Sequence, residues 1–252
     1  MRETFYTVAG CPKRVALVTD LHERPYEAAL DSLRLRQPEL ICAAGDFVLG
    51  NLPKSGPKLR EAGVLPFFSA CAALAPCFVS LGNHEWMLTP EDEALLRATG
   101  AVLLDDEYTA LDGAVIGGLT SARVSEYRRL RRAGNSVREA DEKSRDTRNT
   151  PPGLKWLEDF CVEPGYHILL CHHPEYYPRW LWYRDLPLIL SGHAHGGQVR
   201  LFGRGLYAPG QGLFPKLTAG VTEGRLVVSR GLSNHEPFPR LFNPPELVYI
   251  EP

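Results

Sequence analysis

The sequence predicts an α/β fold, and three observations carry that prediction. Short apolar or β-branched runs alternate with amphipathic segments of helical spacing. The chain of 252 residues is long enough to bury roughly three quarters of its unfolded surface in one core. Polar, chemistry-bearing residues follow directly on the strand-like runs, where open α/β sheets place their ligands.

Residues 15–19, apolar and β-branched, read as a buried strand, and residues 26–36 carry Ala29, Leu30 and Leu33 at helical spacing. Residues 40–44 form the next strand. The apolar stretch 64–82 is broken by Pro66 and Pro76, so it reads as a helix 67–74 and a strand 77–81 rather than a membrane span. Thr89 is an N-cap for a helix 90–97 with Pro90 first, acids in the opening turn and Gly100 beyond the end. Strands follow at 102–104, 108–111 and 114–116, the last two joined at Asp112-Gly113. A helix 153–161, a strand 166–171 and strands at 186–190, 198–201, 225–229 and 246–250 complete the set. The first half is βα-like and the end reads as an antiparallel meander. No internal repeat is present, and residues 1–252 read as one domain.

Residues 121–150 depart from this pattern. They hold nine Arg or Lys against five Asp or Glu, in a chain with 28 basic and 30 acidic side chains and a net charge of -2. They read either as a solvated helix with charges spaced for salt bridges or as a charged cap whose arginines meet an anionic substrate. The near-neutral total argues against a wholesale nucleic-acid binder. The six cysteines (Cys11, Cys42, Cys71, Cys77, Cys161, Cys171) form no CxxC pair and read as core thiols of a reducing compartment. The first residues lack the apolar run of a secretory signal, so a cytoplasmic protein is expected.

Five polar clusters sit at strand ends: Asp20-Leu21-His22, Gly45-Asp46, Gly82-Asn83-His84-Glu85, His172-His173-Pro174 and Gly192-His193-Ala194-His195. Each alone is an ordinary turn. Together they gather six of the eight histidines (His22, His84, His172, His173, His193, His195), four of them within two residues of Asp, Asn or Gly. Residues two apart on an extended chain point to the same side, so Asp20 and His22 can converge on one cation. Nitrogen and oxygen donors without thiolate suit a divalent transition metal such as manganese, iron or zinc. His167, within a strand, and His235, in a Pro-rich loop, read as structural.

In that order the five clusters resemble the calcineurin-like metallophosphoesterase superfamily, over about residues 14–250. The extended segment 192–200 (Gly-His-Ala-His-Gly-Gly-Gln-Val-Arg), Ser-Arg-Gly-Leu at 229–232 and the segment 240–246 look most like a bacterial branch. That branch includes lipid A-related phosphodiesterases and UDP-diacylglucosamine pyrophosphohydrolases. The resemblance implies a four-layer α/β/β/α sandwich of two mixed sheets with a dinuclear metal site at the strand ends. It implies that Asp20, His22 and His195 hold one metal, that Asn83, His172 and His193 hold the other, and that Asp46 bridges them. His172 is preferred to His173 on the family's His-x-Pro spacing; the local pattern leaves both open, with His173 behind the ligands as the alternative role. His84 would face the scissile phosphate rather than bind metal. Glu85 stands where many relatives carry Asp, and either acid can orient the histidine.

The function implied is hydrolysis of phosphoester or pyrophosphate bonds. Two divalent ions ~3.5–4 Å apart, manganese first and iron or zinc as alternatives, would neutralise the phosphate and generate a bridging hydroxide. His84 would assist the leaving group, a contribution of about 10²- to 10⁴-fold. The expected partner is a phosphorylated small molecule or a lipid-linked substrate; nucleic acid is not expected. Residues 176–183 hold five aromatics between two site motifs. They read either as a hydrophobic satellite or as an apolar wall or peripheral membrane contact, with Arg179 and Arg184 toward phosphate. The rival functions are a nuclease or cyclic-nucleotide phosphodiesterase of the same fold, and a metal-stabilised scaffold without catalysis.

Overall fold

The computed structural model describes residues 1–234 and 239–252; His235 lies outside them. The chain begins with β1 (Arg2–Thr7), β2 (Val15–Val18), α1 (Glu27–Arg36), β3 (Leu40–Ala44), α2 (Lys58–Ala62), α3 (Leu65–Leu74) and β4 (Cys77–Ser80). It continues through α4 (Pro90–Arg97), β5 (Val102–Leu103), β6 (Glu107–Leu111), β7 (Ala114–Leu119), α5 (Ala122–Arg132) and α6 (Val137–Ser144). Then come α7 (Leu157–Phe160), β8 (Tyr166–Cys171) and β9 (Leu188–Ser191). Two small hairpins follow, β10 (Arg200–Leu201) with β11 (Arg204–Gly205) and β12 (Tyr207–Ala208) with β13 (Gly212–Leu213). The last strands are β14 (Gly220–Thr222), β15 (Leu226–Val228) and β16 (Glu246–Glu251).

Two six-stranded sheets carry the fold, in the orders β1-β16-β2-β3-β4-β5 and β14-β15-β9-β8-β7-β6. Both are mixed. In the first, β2, β3, β4 and β5 run parallel and β16 is antiparallel to β2. In the second, β7, β8, β9 and β15 run parallel between antiparallel edges. Strand alternation builds the layers. Val15 and Leu17 of β2 join Ile116, Ile168, Leu170 and Leu190 in the core between the sheets. Ala16 and Val18 face the other way, toward Leu30 and Leu33 of α1 and Phe67 and Phe68 of α3. On the far side Val115, Leu169 and Ile189 meet Leu157, Phe160 and Leu181. The result is helices, sheet, sheet, helices, the expected four layers. Strands buried on both faces read as continuous apolar runs, which is why they were legible in the sequence.

The antiparallel meander expected at the end is not what forms. β8, β9 and β15 are parallel neighbours, and β16 crosses to the first sheet beside β2. The sequence reading has no counterpart of β1, a half-exposed edge strand paired parallel with β16; one-sided burial leaves no apolar run to find. The helix expected at 153–161 contracts to α7, behind Pro151, Pro152 and Gly153. Asp112-Gly113 does turn a hairpin, both residues having positive φ (46° and 81°) between paired Leu111 and Ala114.

The charged segment 121–150 folds mainly as α5 and α6, with ion pairs Arg129–Glu126, Arg138–Glu142 and Arg145–Asp141 at helical spacing. The aromatic segment 176–183 is divided between core and surface. Tyr176, Tyr177 and Leu181 are buried around a π-helical turn (Tyr177–Leu181), while Trp182 and Tyr183 are exposed. His167 is buried within β8 against Phe160, their ring centroids 5.0 Å apart. All six cysteines are free, and five are buried. Among the described residues no helix is long and apolar enough to cross a membrane.

Candidate metal centre

The ends of β2, β3, β4, β8 and β9 open on one side, and the turns leaving them bring the polar clusters together. Those turns are tight. Asp20, His22, Asp46, His193 and His195 all have positive φ (55°, 47°, 56°, 63° and 46°). That backbone region is uncommon for side-chain-bearing residues and gathers at functional sites. The glycines beside them are required by space. Gly45 has φ 81°, and a Cβ on it would lie 2.6 Å from Gly82 N. A Cβ on Gly82 would lie 2.3 Å from Asp46 Oδ1. The first would press on the Gly82 backbone and the His172 ring, the second on the Asp46 carboxylate.

The donor atoms of Asp20, His22 and His195 lie within 4.8 Å of one another, as do those of Asp46, His172 and His193, and of His22, Asp46 and His84. Asp46 therefore stands between the two sets that the sequence grouped. Its Oδ2 is 3.0 Å from His172 Nε2, 3.8 Å from His84 Nε2 and 4.0 Å from His22 Nε2. Asp20 Oδ1 is 3.9 Å from His22 Nε2 and 3.6 Å from His195 Nε2, and it accepts the backbone N–H of His193 at 3.2 Å. Asn83 follows Gly82 and opens a 3₁₀ turn (Asn83–Met87). Its Oδ1 is buried with no hydrogen-bond partner among the described residues.

The orientation of the imidazoles fits a cation. His172 Nδ1 lies 2.8 Å from the carbonyl oxygen of Ala44, so it donates there and turns Nε2 toward Asp46. Two acceptors 3.0 Å apart need a positive charge between them. His22 repeats the arrangement, with Nδ1 3.3 Å from the Val48 carbonyl and Nε2 toward both carboxylates. The protein's own charges express the same demand. Burial opposes charge on His172, but Asp46 and then Asp20 win and lift it to about 10. Burial raises the Asp20 carboxyl. Burial would also raise Asp46, yet His172, His84 and His22 hold it well below the usual range. His193 is pushed well down by burial and by His173. Nitrogen and oxygen donors with an orphaned amide oxygen and a centrally shared carboxylate suit two divalent cations.

His172 and His173 differ in their partners. His173 is turned away from Asp46, its Nε2 2.8 Å from Ser121 Oγ and its Nδ1 3.2 Å from Glu175 Oε1. His84 faces the cluster, with Nδ1 accepting the Gly50 N–H at 2.9 Å. Glu85 accepts four backbone N–H groups, of Asp46, Phe47, Val48 and Gly82. Three residues about the cluster went unassigned in the sequence. Glu175 lies 3.6 Å from His193 Nε2, a carboxylate–histidine contact of the kind that steadies metal-binding imidazoles. Its carboxyl is held down to about 2, because His193 and His173 outweigh the effect of burial. Arg240 Nη2 is 2.9 Å from His195 Nδ1, and Arg123 overhangs the site from α5. Arg240 lay inside the segment 240–246 and Glu175 directly after Pro174, but nothing local marks their targets.

Known proteins bear on this geometry. A family model described as "Calcineurin-like phosphoesterase" matches residues 13–197. The chain is 27% identical over 246 residues to an uncharacterised metallophosphoesterase of Aquifex aeolicus, covering 94% of this chain and 77% of that protein. It is 26% identical over 204 residues to the uncharacterised metallophosphoesterase YkoQ of Bacillus subtilis, covering 75% and 65% respectively. With the uncharacterised protein YpbG of the same organism the identity is 23% over 202 residues, covering 79% and 68%. The chain thus spans about two thirds to three quarters of these relatives' lengths. Because the family match takes in well over half the sequence and encloses every candidate from Asp20 to His195, the chain belongs to the calcineurin-like phosphoesterase family.

Proposed function

We propose that this protein hydrolyses phosphoester bonds of a small or lipid-linked substrate, using two divalent cations. Asp20, His22 and His195 hold one and Asn83, His172 and His193 the other, with Asp46 shared. The observation that carries the reading is the approach of His172 Nε2 and His22 Nε2 to the same Asp46 oxygen from two sides. When bound, the cations would supply charge neutralisation and an activated water; the donor set favours manganese, with iron or zinc as alternatives. Asn83 contributes a neutral oxygen, which keeps the centre positive toward an anion. His84 accepts from Gly50 on Nδ1, so the neutral ring carries its proton on Nε2, toward the cluster. From there it donates a hydrogen bond, keeping its proton, to the leaving oxygen. Glu85 and the glycines beside Asp46 hold the carboxylate in place.

The test is a panel of bis-aryl and mono-aryl phosphates, nucleotide sugars and lipid diphosphates, assayed with Mn²⁺-reconstituted protein. Saturable turnover that disappears in chelator is expected. A protein that binds two equivalents of metal and hydrolyses none of these is a scaffold, and the reading fails.

A further inference from the structure

Two phenylalanines stand on the surface in a backbone conformation that does not suit them. β10 and β11 are joined by the two-residue turn Phe202-Gly203, with φ of 51° and 80°. Such a turn favours Asn-Gly, and a bulky side chain in the left-handed region is strained there. Phe202 is 104% exposed, so no packing within the fold offsets the strain. Phe242 repeats the pattern, with φ of 53° and 80% exposure. The two lie together. Val199 bridges Leu241, Arg200 N–H donates to the Leu241 carbonyl at 3.0 Å, and Phe202 and Phe242 line one cleft of about 460 Å³. Leu201 and Leu241, also exposed, extend the apolar patch. Its base is fixed. Asn243 is buried and donates to the carbonyls of His195 at 2.7 Å and Gln198 at 3.1 Å. Arg200 donates to the Gly196 carbonyl at 2.7 Å and to the Gly203 carbonyl of the turn itself. Around the rings the charge is of one sign. Arg2, Arg200 and Arg230 line the same cleft, Arg204 pairs with Leu201 across the hairpin, and no acid lines the cleft among the described residues. Glu246, 3.6 Å from Arg230, is buried and also accepts Thr4 Oγ1 at 2.6 Å.

We propose that this face docks on an anionic lipid bilayer, with Phe202, Phe242, Leu201 and Leu241 entering the boundary between headgroups and acyl chains. Arg2, Arg200, Arg204 and Arg230 then meet the anionic headgroups. Charge and shape select this occupant together. A ring that clears every neighbour offers a protein partner no groove to fill, whereas hydrocarbon chains close around a lone ring while headgroup phosphates lie level with the arginines. The surface is separate from the aromatic segment 176–183 and does not rest on the reading of the metal cluster. The two are nonetheless linked in the fold. Arg240, with Nη2 2.9 Å from His195 Nδ1, and Asn243 flank Phe242 in the chain, so docking brings the candidate centre to the lipid surface.

The test is sedimentation of the whole protein with phosphatidylcholine vesicles, with and without phosphatidylglycerol. Vesicles containing phosphatidylglycerol should be bound at least about tenfold more tightly than phosphatidylcholine alone, and added salt should narrow the difference. Phe202→Asn and Phe242→Asn should each weaken binding about tenfold or more. Asparagine accepts a positive φ, so both variants should melt at or above the wild-type temperature, which separates lost docking from lost folding. Arg204→Gln should weaken binding to phosphatidylglycerol vesicles about fivefold. Trp182→Ala, on the aromatic segment, should leave binding unchanged. Wild-type protein that ignores vesicles, or binds both kinds equally, overturns the proposal, as does binding that neither Phe variant weakens. Loss of binding in Trp182→Ala alone assigns the contact to the aromatic segment and overturns it too. So does a dimer in analytical ultracentrifugation that Phe202→Asn dissolves, in a protein that binds no vesicle, since this face is then a self-association surface. Hydrolysis enters none of these readouts, so the docking surface and the proposed activity stand or fall separately.

Discussion

Glu85 holds the loop that carries Asp46. Its Oε2 accepts the backbone N–H of Asp46 at 2.9 Å and of Gly82 at 2.8 Å, so one buried carboxylate ties the end of β3 to the end of β4. Its Oε1 accepts Phe47 and Val48 N–H. Glu85→Ala strands four buried donors and is expected to cost at least about 3 kcal/mol. Urea unfolding checks this, with metal content as a second readout. A variant within 1 kcal/mol of wild type by the same yardstick would contradict the assignment.

His84 stands at the cluster, its Nε2 3.8 Å from Asp46 Oδ2. His84→Asn should retain two equivalents of metal by elemental analysis while losing about 10²- to 10⁴-fold in turnover of substrates with poor leaving groups. Loss should be smaller for aryl leaving groups, which need no proton. Equal losses on both would assign His84 to metal binding instead.

Gly82 has no room for a side chain, since its Cβ would lie 2.3 Å from Asp46 Oδ1. Gly82→Ala should destabilise the protein by about 1–3 kcal/mol and weaken metal uptake, seen as reduced Mn²⁺ stoichiometry at equal protein concentration. Full occupancy with wild-type affinity is the contrary result.

Cation removal should lower the melting temperature. At a free concentration about 100 times Kd, a bound metal stabilises the fold by about 2.7 kcal/mol. That corresponds to roughly 5–10 °C for a chain of this size. His172→Ala should reduce the difference between Mn²⁺ and EDTA melts, because its Nε2 faces the shared carboxylate. Superimposable melts of wild type in both conditions would refute metal binding.

Asp106, away from the cluster, gives a pH signature. Burial, with Asp105 assisting, lifts its carboxyl from 3.8 to about 6, against the Thr120 N–H it accepts at 2.9 Å. A folded pKa above the unfolded one means stability that is present below about 4 and lost as pH rises through about 6. Asp106→Asn keeps an acceptor and tolerates the residue's φ of 55°. It should gain about 1–2 kcal/mol at pH 7.5 and nothing at pH 4, measured by urea unfolding. A parallel shift at both pH values would sink this account.

The buried strands, their turns and the polar clusters after them were legible because they are local. A strand covered on both faces is an apolar run wherever it sits; Asp20 and His22, by contrast, meet through residues of positive φ and not along the extended chain their spacing suggested. The grouping of ligands came from resemblance; the donor atoms of Asp20, His22 and His195, and of Asp46, His172 and His193, lie within 4.8 Å of one another. What the sequence could not show is pairing at a distance. β1 finds β16 across the whole chain, and the final strand joins the first sheet instead of a meander. His172 and His173 are neighbours of one type, and only the Ala44 carbonyl, Ser121 and Glu175 send one toward Asp46 and the other away. Glu85 is one acid among thirty until β3 and β4 lie side by side and point four N–H groups at it. Residue type and spacing determined which chemistry this chain can assemble. Packing of the two sheets decided which atoms meet, because burial leaves each polar group only the partners that the fold brings within hydrogen-bond reach.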